Sequence, residues 1–234
     1  MGNKLKQNQI AGAIIIAGLI IAGAILLKDK SSSSNADTAL QKVKIEQVSD
    51  QEHILGNKNA KIMIVEYSDT ECPWCKVFHS TMQKVVSENS NVAWVYRHYP
   101  ISELHSKSEH EAIATECAWE QGGNDMFWKY INEVFARTES NNKLETTELS
   151  KIANDLGLNM ESFENCLSSE KYKEKISTYK TGASSLEKQL VEKGIIQNGL
   201  GTPSSFIVKK GKIVEMMHGA ESYESIMQKI EKLR

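Results

Sequence analysis

The longest unbroken apolar stretch of the chain runs from Ile10 to Leu27, IAGAIIIAGLIIAGAILL, with no polar side chain in it. As a helix it would rise roughly 27 Å, close to the hydrocarbon thickness of a bilayer. The pattern predicts one membrane-spanning helix over 10–27, with a short tail, 1–9, before it. The polar, serine-rich stretch 28–40 that follows, beginning KDKSSSSNADT, reads as a tether. From Gln41 onward the spacing is that of a folded domain, 41–234.

Within that domain VKIEQV (43–48) alternates like a half-buried strand, and HILGNKNA reads as a turn-rich connection. KIMIVEY (61–67) is nearly continuous in apolar residues, as befits a central strand covered on both faces. A helix is expected from Cys72-Pro73, since proline suits the first helical turn. NVAWVYRHY (91–99) is the next strand, ended by Pro100. From about 104 to 193 the period becomes helical. One stripe, Ile113 to Ala118, stops at Gly122-Gly123, and a second runs from Met126 to Phe135. A third, Leu149 to Leu156, stops at Gly157. A short fourth carries Phe163, Cys166 and Leu167, and a long fifth, Tyr172 to Leu190, closes at Gly194. SSFIV and KIVEMM then flank a Lys210-Gly211 turn, the sign of a β-hairpin, and a last helix starts near Glu221. The order is an α/β sheet domain interrupted by a helical insertion of about 104–193.

Composition changes this picture little. The 28 basic residues nearly balance the 30 acidic ones, and no basic block points to nucleic acid. Lys4, Lys6 and the amino terminus precede the apolar span, so the positive-inside rule puts the tail in the cytoplasm and the domain outside. A cleaved signal peptide and a retained anchor both fit, and the length of the run favours the anchor. An extracytoplasmic domain meets oxidising conditions, which makes disulfide chemistry the default for its cysteines.

Cys72 and Cys75 stand in SDTECPWCKVF. Cys-x-x-Cys serves zinc sites, redox sites and structural staples alike. Zinc wants about four ligands, yet Cys117 and Cys166 are isolated on separate expected helices and no histidine pair has ligand spacing, so no metal is expected. A disulfide across so short a loop removes little chain entropy, which argues against a mere staple. At a helix start, free amides and the dipole stabilise a thiolate at Cys72, with Cys75 one turn further in. Cys72 is then the nucleophile and Cys75 the resolving thiol. Cys117 and Cys166 fit either two buried thiols or a disulfide within the insertion, the latter closing a loop of about 50 residues and contributing about 4 kcal/mol.

With IVEYSDTECPWCKVFH at a strand-to-helix junction, YRHYPI, ECAWEQGGNDMFW in the helical block and GTPSSFIV opening a late strand, the chain resembles the DsbA-like thiol-disulfide oxidoreductases of the thioredoxin superfamily. The resemblance implies a thioredoxin fold with an inserted helical domain. It implies a cis Pro203 facing Cys72 and Cys75, with the Thr202 backbone open to an extended substrate. It also assigns Glu66 as a buried acid aiding proton transfer at Cys75, the same role that burial on an apolar strand would give it. Pro73 and Trp74 belong to the active-site helix, and Trp74 replaces the histidine of the best-known members, whose charge an indole cannot supply. Asp69 and Glu71 are expected to face solvent. His79, His98 and His105 are assigned packing or hydrogen-bonding roles, and Trp94, Trp119, Phe127 and Trp128 belong to the core.

The expected activity is disulfide introduction into exported, cysteine-containing polypeptides by a membrane-anchored enzyme. No cofactor is required, and a DsbB-like or VKOR-like membrane partner would reoxidise it. A reductase or isomerase of the same fold and a non-catalytic anchored chaperone or peptide-binding module are the alternatives.

Overall fold

A computed structural model describes residues 38–234. The apolar span 10–27, its tail and most of the tether lie outside these residues, and among the described residues no helix is long and apolar enough to cross a membrane.

Five strands form one sheet in the order β1-β3-β2-β4-β5: β1 (His53–Gly56), β2 (Ile62–Ser68), β3 (Val92–His98), β4 (Ser204–Lys209) and β5 (Lys212–His218). β2 and β3 are parallel, joined by helix α1 (Pro73–Glu88), and the other pairings are antiparallel. β2 is central because both of its faces are apolar. Ile64 packs with Phe78, Met82 and Trp94 under α1, while Val65 and Tyr67 join Leu186, Leu190 and Phe206 on the opposite face. The β4–β5 turn is Lys210-Gly211, with φ of 52° and 72°; two left-handed residues match the twist of a two-residue hairpin.

Four helices separate β3 from β4: α2 (Ser108–Arg137), α3 (Thr146–Asp155), α4 (Met160–Ser168) and α5 (Lys173–Glu192). α2 carries the first two apolar stripes and breaks between them at Gly123, whose φ of 64° and ψ of −153° are not helical. The N-terminal stripe of α2 makes a separate core with α3 and α4, including Ile113, Leu149 and Phe163. The C-terminal stripe reaches back to the sheet through Phe127, Trp128 and Ile131, and α5 covers the sheet's other face. Helix α6 (Tyr223–Lys232) lies beside α1, with Ile226 and Ile230 in the same core.

Two expectations fail at the start of the domain. Residues 43–48 form no strand. Val43 and Ile45 are buried, as the alternation implies, but the Lys44 backbone bonds to the Gln189 side chain on α5, at 2.8 and 3.1 Å. The Glu46 carbonyl accepts from Arg97 Nη2 at 2.9 Å. Side chains satisfy this segment in place of a neighbouring strand. The sheet edge is HILG instead, pairing with β3 from His53↔Tyr96 to Gly56↔Ala93. Its polar start is paired inside: the His53 ring stacks on Phe127 with centroids 3.5 Å apart, and Nε2 lies 2.8 Å from Glu116 Oε1.

Candidate active site

β2 ends at Ser68, three residues turn, and α1 begins at Pro73 with Cys72 as its N-cap, in extended backbone conformation. No side chain caps this helix, so its free amides are turned toward the Cys72 sulfur. Cys72 is 5 % exposed, while Cys75, one turn in, is fully buried, and both are free thiols. The Cys72 thiol donates to the Thr202 carbonyl at 3.3 Å, across 130 residues of sequence, and the Thr202–Pro203 bond is cis. Asp69 N–H points at Cys75 Sγ from 3.5 Å.

The two sulfurs differ in acidity. Hydrogen bonding from Cys75 lowers Cys72 to about 6, against its burial, with help from Thr202 and the amides of Cys75 and Trp74. Burial pushes Cys75 well above the ordinary thiol range, and the neighbouring Cys72 adds to the shift. Beneath them Glu66 is fully buried and raised to about 8, by burial foremost. Its Oε2 accepts from Trp94 Nε1 at 2.8 Å, while Oε1 has no hydrogen-bond partner.

Asp69 and Glu71 are buried, against expectation. Asp69 Oδ1 accepts from Glu71 N–H at 2.9 Å; Oδ2 accepts from Ile101 N–H at 2.8 Å and lies 2.9 Å from His105 Nδ1. Glu71 accepts from Thr138 Oγ1 at 3.2 Å and from the Asn142 amide, and its carbonyl accepts from Asn141 N–H at 2.8 Å. The receiving turn holds Ser140, Asn141 and Asn142 at φ of 64°, 54° and 66°, a left-handed run that aims successive amides at Glu71. Lys76 Nζ donates to the Thr138 carbonyl at the C-terminal end of α2. The loop before the nucleophile is thereby fixed to the insertion. Apart from the Asp69–Glu71 turn, these partners lie 32 to 71 residues away in sequence, so no local pattern signals them.

Trp74, between the two cysteines, is 64 % exposed, and Val77 on the same helix is exposed as well. Beside Thr202 and Pro203 runs a shallow depression lined by Ile196, Leu200, Met216 and His218. His79 is buried, held by Asn132 Oδ1 at 2.7 Å, and burial lowers it to about 4. His98, lowered by burial to about 3, lies 3.1 Å from Thr115 Oγ1. Trp94, Phe127 and Trp128 are core residues; Trp119 is partly buried, with Lys175 Nζ 4.5 Å from its ring centroid. Cys117 and Cys166 form a disulfide joining α2 to α4, with Cα atoms 5.8 Å apart. Among the described residues one cluster has metal-ligand chemistry, His53, His98 and Glu116. Its carboxylate is already engaged by His53 and, at 2.7 Å, by Lys175 Nζ, so it reads as a buried charge network.

The family model described as Thioredoxin matches residues 48–193. Similar solved structures include DsbA2 of Pseudomonas aeruginosa, at 23 % identity over 80 % of this chain and 97 % of that one, TM-score 0.60. Another is the thiol-disulfide exchange protein alpha-DsbA2 of Wolbachia pipientis, at 16 % identity over 88 % and 98 %, TM-score 0.65. A third is oxidised BdbD of Bacillus subtilis, at 20 % identity over 81 % and 96 %, TM-score 0.63. Among curated relatives, a Na(+)/H(+) antiporter NhaA 3 of Salinispora tropica is 30 % identical over 114 residues, 49 % of this chain. The chain spans only 17 % of that relative's length. With the family match running from β1 to the end of the helical insertion, the chain belongs to the thioredoxin family and has the DsbA-like form of its fold.

Proposed function

We propose that the protein is an extracytoplasmic thiol-disulfide oxidoreductase that introduces disulfides into exported polypeptides. The carrying observation is the acidity difference at the helix start: Cys72, lowered to about 6, is a ready leaving and attacking group, while Cys75 is held as a thiol. A thiolate stabilised in the reduced enzyme favours reduction of the enzyme, hence oxidation of its substrate.

In the oxidised enzyme a substrate thiolate attacks Cys72 Sγ, and Cys75 leaves and takes up a proton. A second substrate thiol then attacks the substrate sulfur of the mixed disulfide, releasing the product disulfide and the Cys72 thiolate. The Thr202 carbonyl and the exposed side chains of Trp74 and Val77 support binding of an extended, unfolded segment. The span 10–27 would hold the domain at a membrane, where a DsbB-like or VKOR-like partner would reoxidise the pair. The exchange itself needs no metal or organic cofactor.

Equilibration with glutathione tests the direction. The expected potential of the Cys72–Cys75 couple lies well above that of thioredoxin, about −270 mV. A value at or below that figure would assign a reductase. Cys72→Ser should abolish disulfide formation in a reduced substrate; full retention would leave only a binding module.

A further inference from the structure

Glu66 and Ser68 stand two residues apart on β2, so both side chains leave the same face of the strand, toward α1. Tyr96, the register partner of Glu66 on β3, shares that face. The Ser68 hydroxyl faces Glu66, Cys75 and Tyr96 alike. Glu66 Oε1, Ser68 Oγ and the Tyr96 hydroxyl are all buried, and none has a partner at full hydrogen-bond geometry, although the Ser68 hydroxyl lies close enough to act on Glu66, Cys75 and Tyr96. Buried unpaired polar atoms are costly, so three at one spot require a reason. With Oε2 held by Trp94, Oε1 is the Glu66 oxygen left to exchange a proton.

We propose that Ser68 relays the proton between the Glu66 carboxyl and the Cys75 sulfur. This rests on the oxidoreductase reading above. When substrate thiolate attacks Cys72 Sγ, the substrate–Cys72 S–S bond forms, the Cys72–Cys75 bond breaks, and Cys75 leaves with the electron pair. Ser68 gives its hydroxyl proton to that sulfur and receives the proton of Glu66. One negative charge enters on the substrate sulfur and ends on the Glu66 carboxylate. In the reverse step the same two transfers run backward, so Cys75 becomes a thiolate as it attacks Cys72. The titratable groups facing this spot are Cys72 and Cys75 from α1, Tyr96 and, edge-on to its ring at 5.2 Å, His98 from β3, and Asp69 from the loop after β2. The α2 side chains against Tyr96 are Phe127 and Trp128, which carry no proton to exchange in this range.

The test is a single-turnover reaction of the oxidised full chain with glutathione, quenched in acid, with the mixed disulfide counted by mass spectrometry across pH. Ser68→Ala should form it about 100-fold more slowly, as loss of general acid catalysis implies. It should also lose the inflection that Glu66 gives the pH profile. Ser68→Thr should restore both. Glu66→Gln combined with Ser68→Ala should be no slower than Glu66→Gln alone, because one path is cut once. A Ser68→Ala rate within about twofold of the parent, or multiplying losses in the double variant, would overturn the relay. So would a lowered melting temperature with an unchanged profile. A parent protein that forms no mixed disulfide would overturn the oxidoreductase reading, and the relay with it.

Discussion

The largest contribution to the acidity of Cys72 comes from a single neighbour, the Cys75 thiol, which donates to its sulfur. Titration of the reduced protein, followed by the ultraviolet absorbance of the thiolate, should show a midpoint near the value of about 6 given above. Cys75→Ser keeps a hydroxyl donor and should keep the midpoint low. Cys75→Ala removes the donor and should move it upward toward the ordinary thiol value. Equal midpoints in the two variants would mean that the helix amides, not Cys75, set the acidity. Glu66 works in the opposite sense, since burial makes it hold a proton that a carboxyl in water would release. The residue scale was half legible in advance. Cys72 and Cys75 stand in a motif whose spacing a helix start dictates, while Pro203 was legible only through the family resemblance. Asp69 and Glu71 look like ordinary loop polars and Ser68 like a strand-end polar, and only partners brought from the segment after β3 and from the insertion bury the loop pair.

Among the elements, the seam between the active-site loop and the insertion is the most consequential contact. Glu111 on α2 is buried and faces Glu71; its carboxyl is pushed up to about 9, by burial first and by the Glu71 carboxyl second. Glu111 therefore keeps a proton near neutrality. Glu111→Gln preserves a donor toward Glu71 and should leave the melting temperature nearly unchanged. Glu71→Ala strands the Asn142 amide and the Thr138 hydroxyl, and should cost roughly 2–3 kcal/mol in denaturant unfolding. Within the insertion, replacing both Cys117 and Cys166 by Ala opens a loop spanning a separation of 49 residues. That should lower stability by about 4 kcal/mol in the chain-entropy model while leaving the Cys72 midpoint in place. A shifted midpoint would show that the insertion core sets the acidity of the site. Helices were the more legible elements, because most stripes are long and three of the five end at a glycine: Gly123, Gly157 and Gly194 all have positive φ. The edge strand escaped because four residues are too few for a period, and 43–48 misled because alternating burial does not require a ladder.

For the whole molecule, four buried groups set opposing pH trends in the oxidised protein, where Cys72 does not titrate. His79 and His98 lie below the free imidazole value, so the unfolded chain binds protons first as pH falls below about 6.5. Stability from these two is lost in that direction. Glu66 and Glu111 lie above the free carboxyl value, so the folded chain keeps protons that the unfolded chain has released. Their contribution is complete below about 4.5 and is lost as pH rises through 8 to 9. Between about 4.5 and 6.5 the two trends offset, and the melting temperature should be flat, with a decline on both sides. A maximum near pH 8 would contradict this. A different consequence follows from the left-handed turn Ser140–Asn142, which receives Glu71 and, through Thr138, Lys76. Two stretches distant in sequence are thereby parts of one joint. Exchanging the helical block between homologous chains, in evolution or by recombination, should give a stable hybrid only when residues 71 and 76 are inherited together with 138–142. A crossover placed in β3 splits that joint, however well the two cores match.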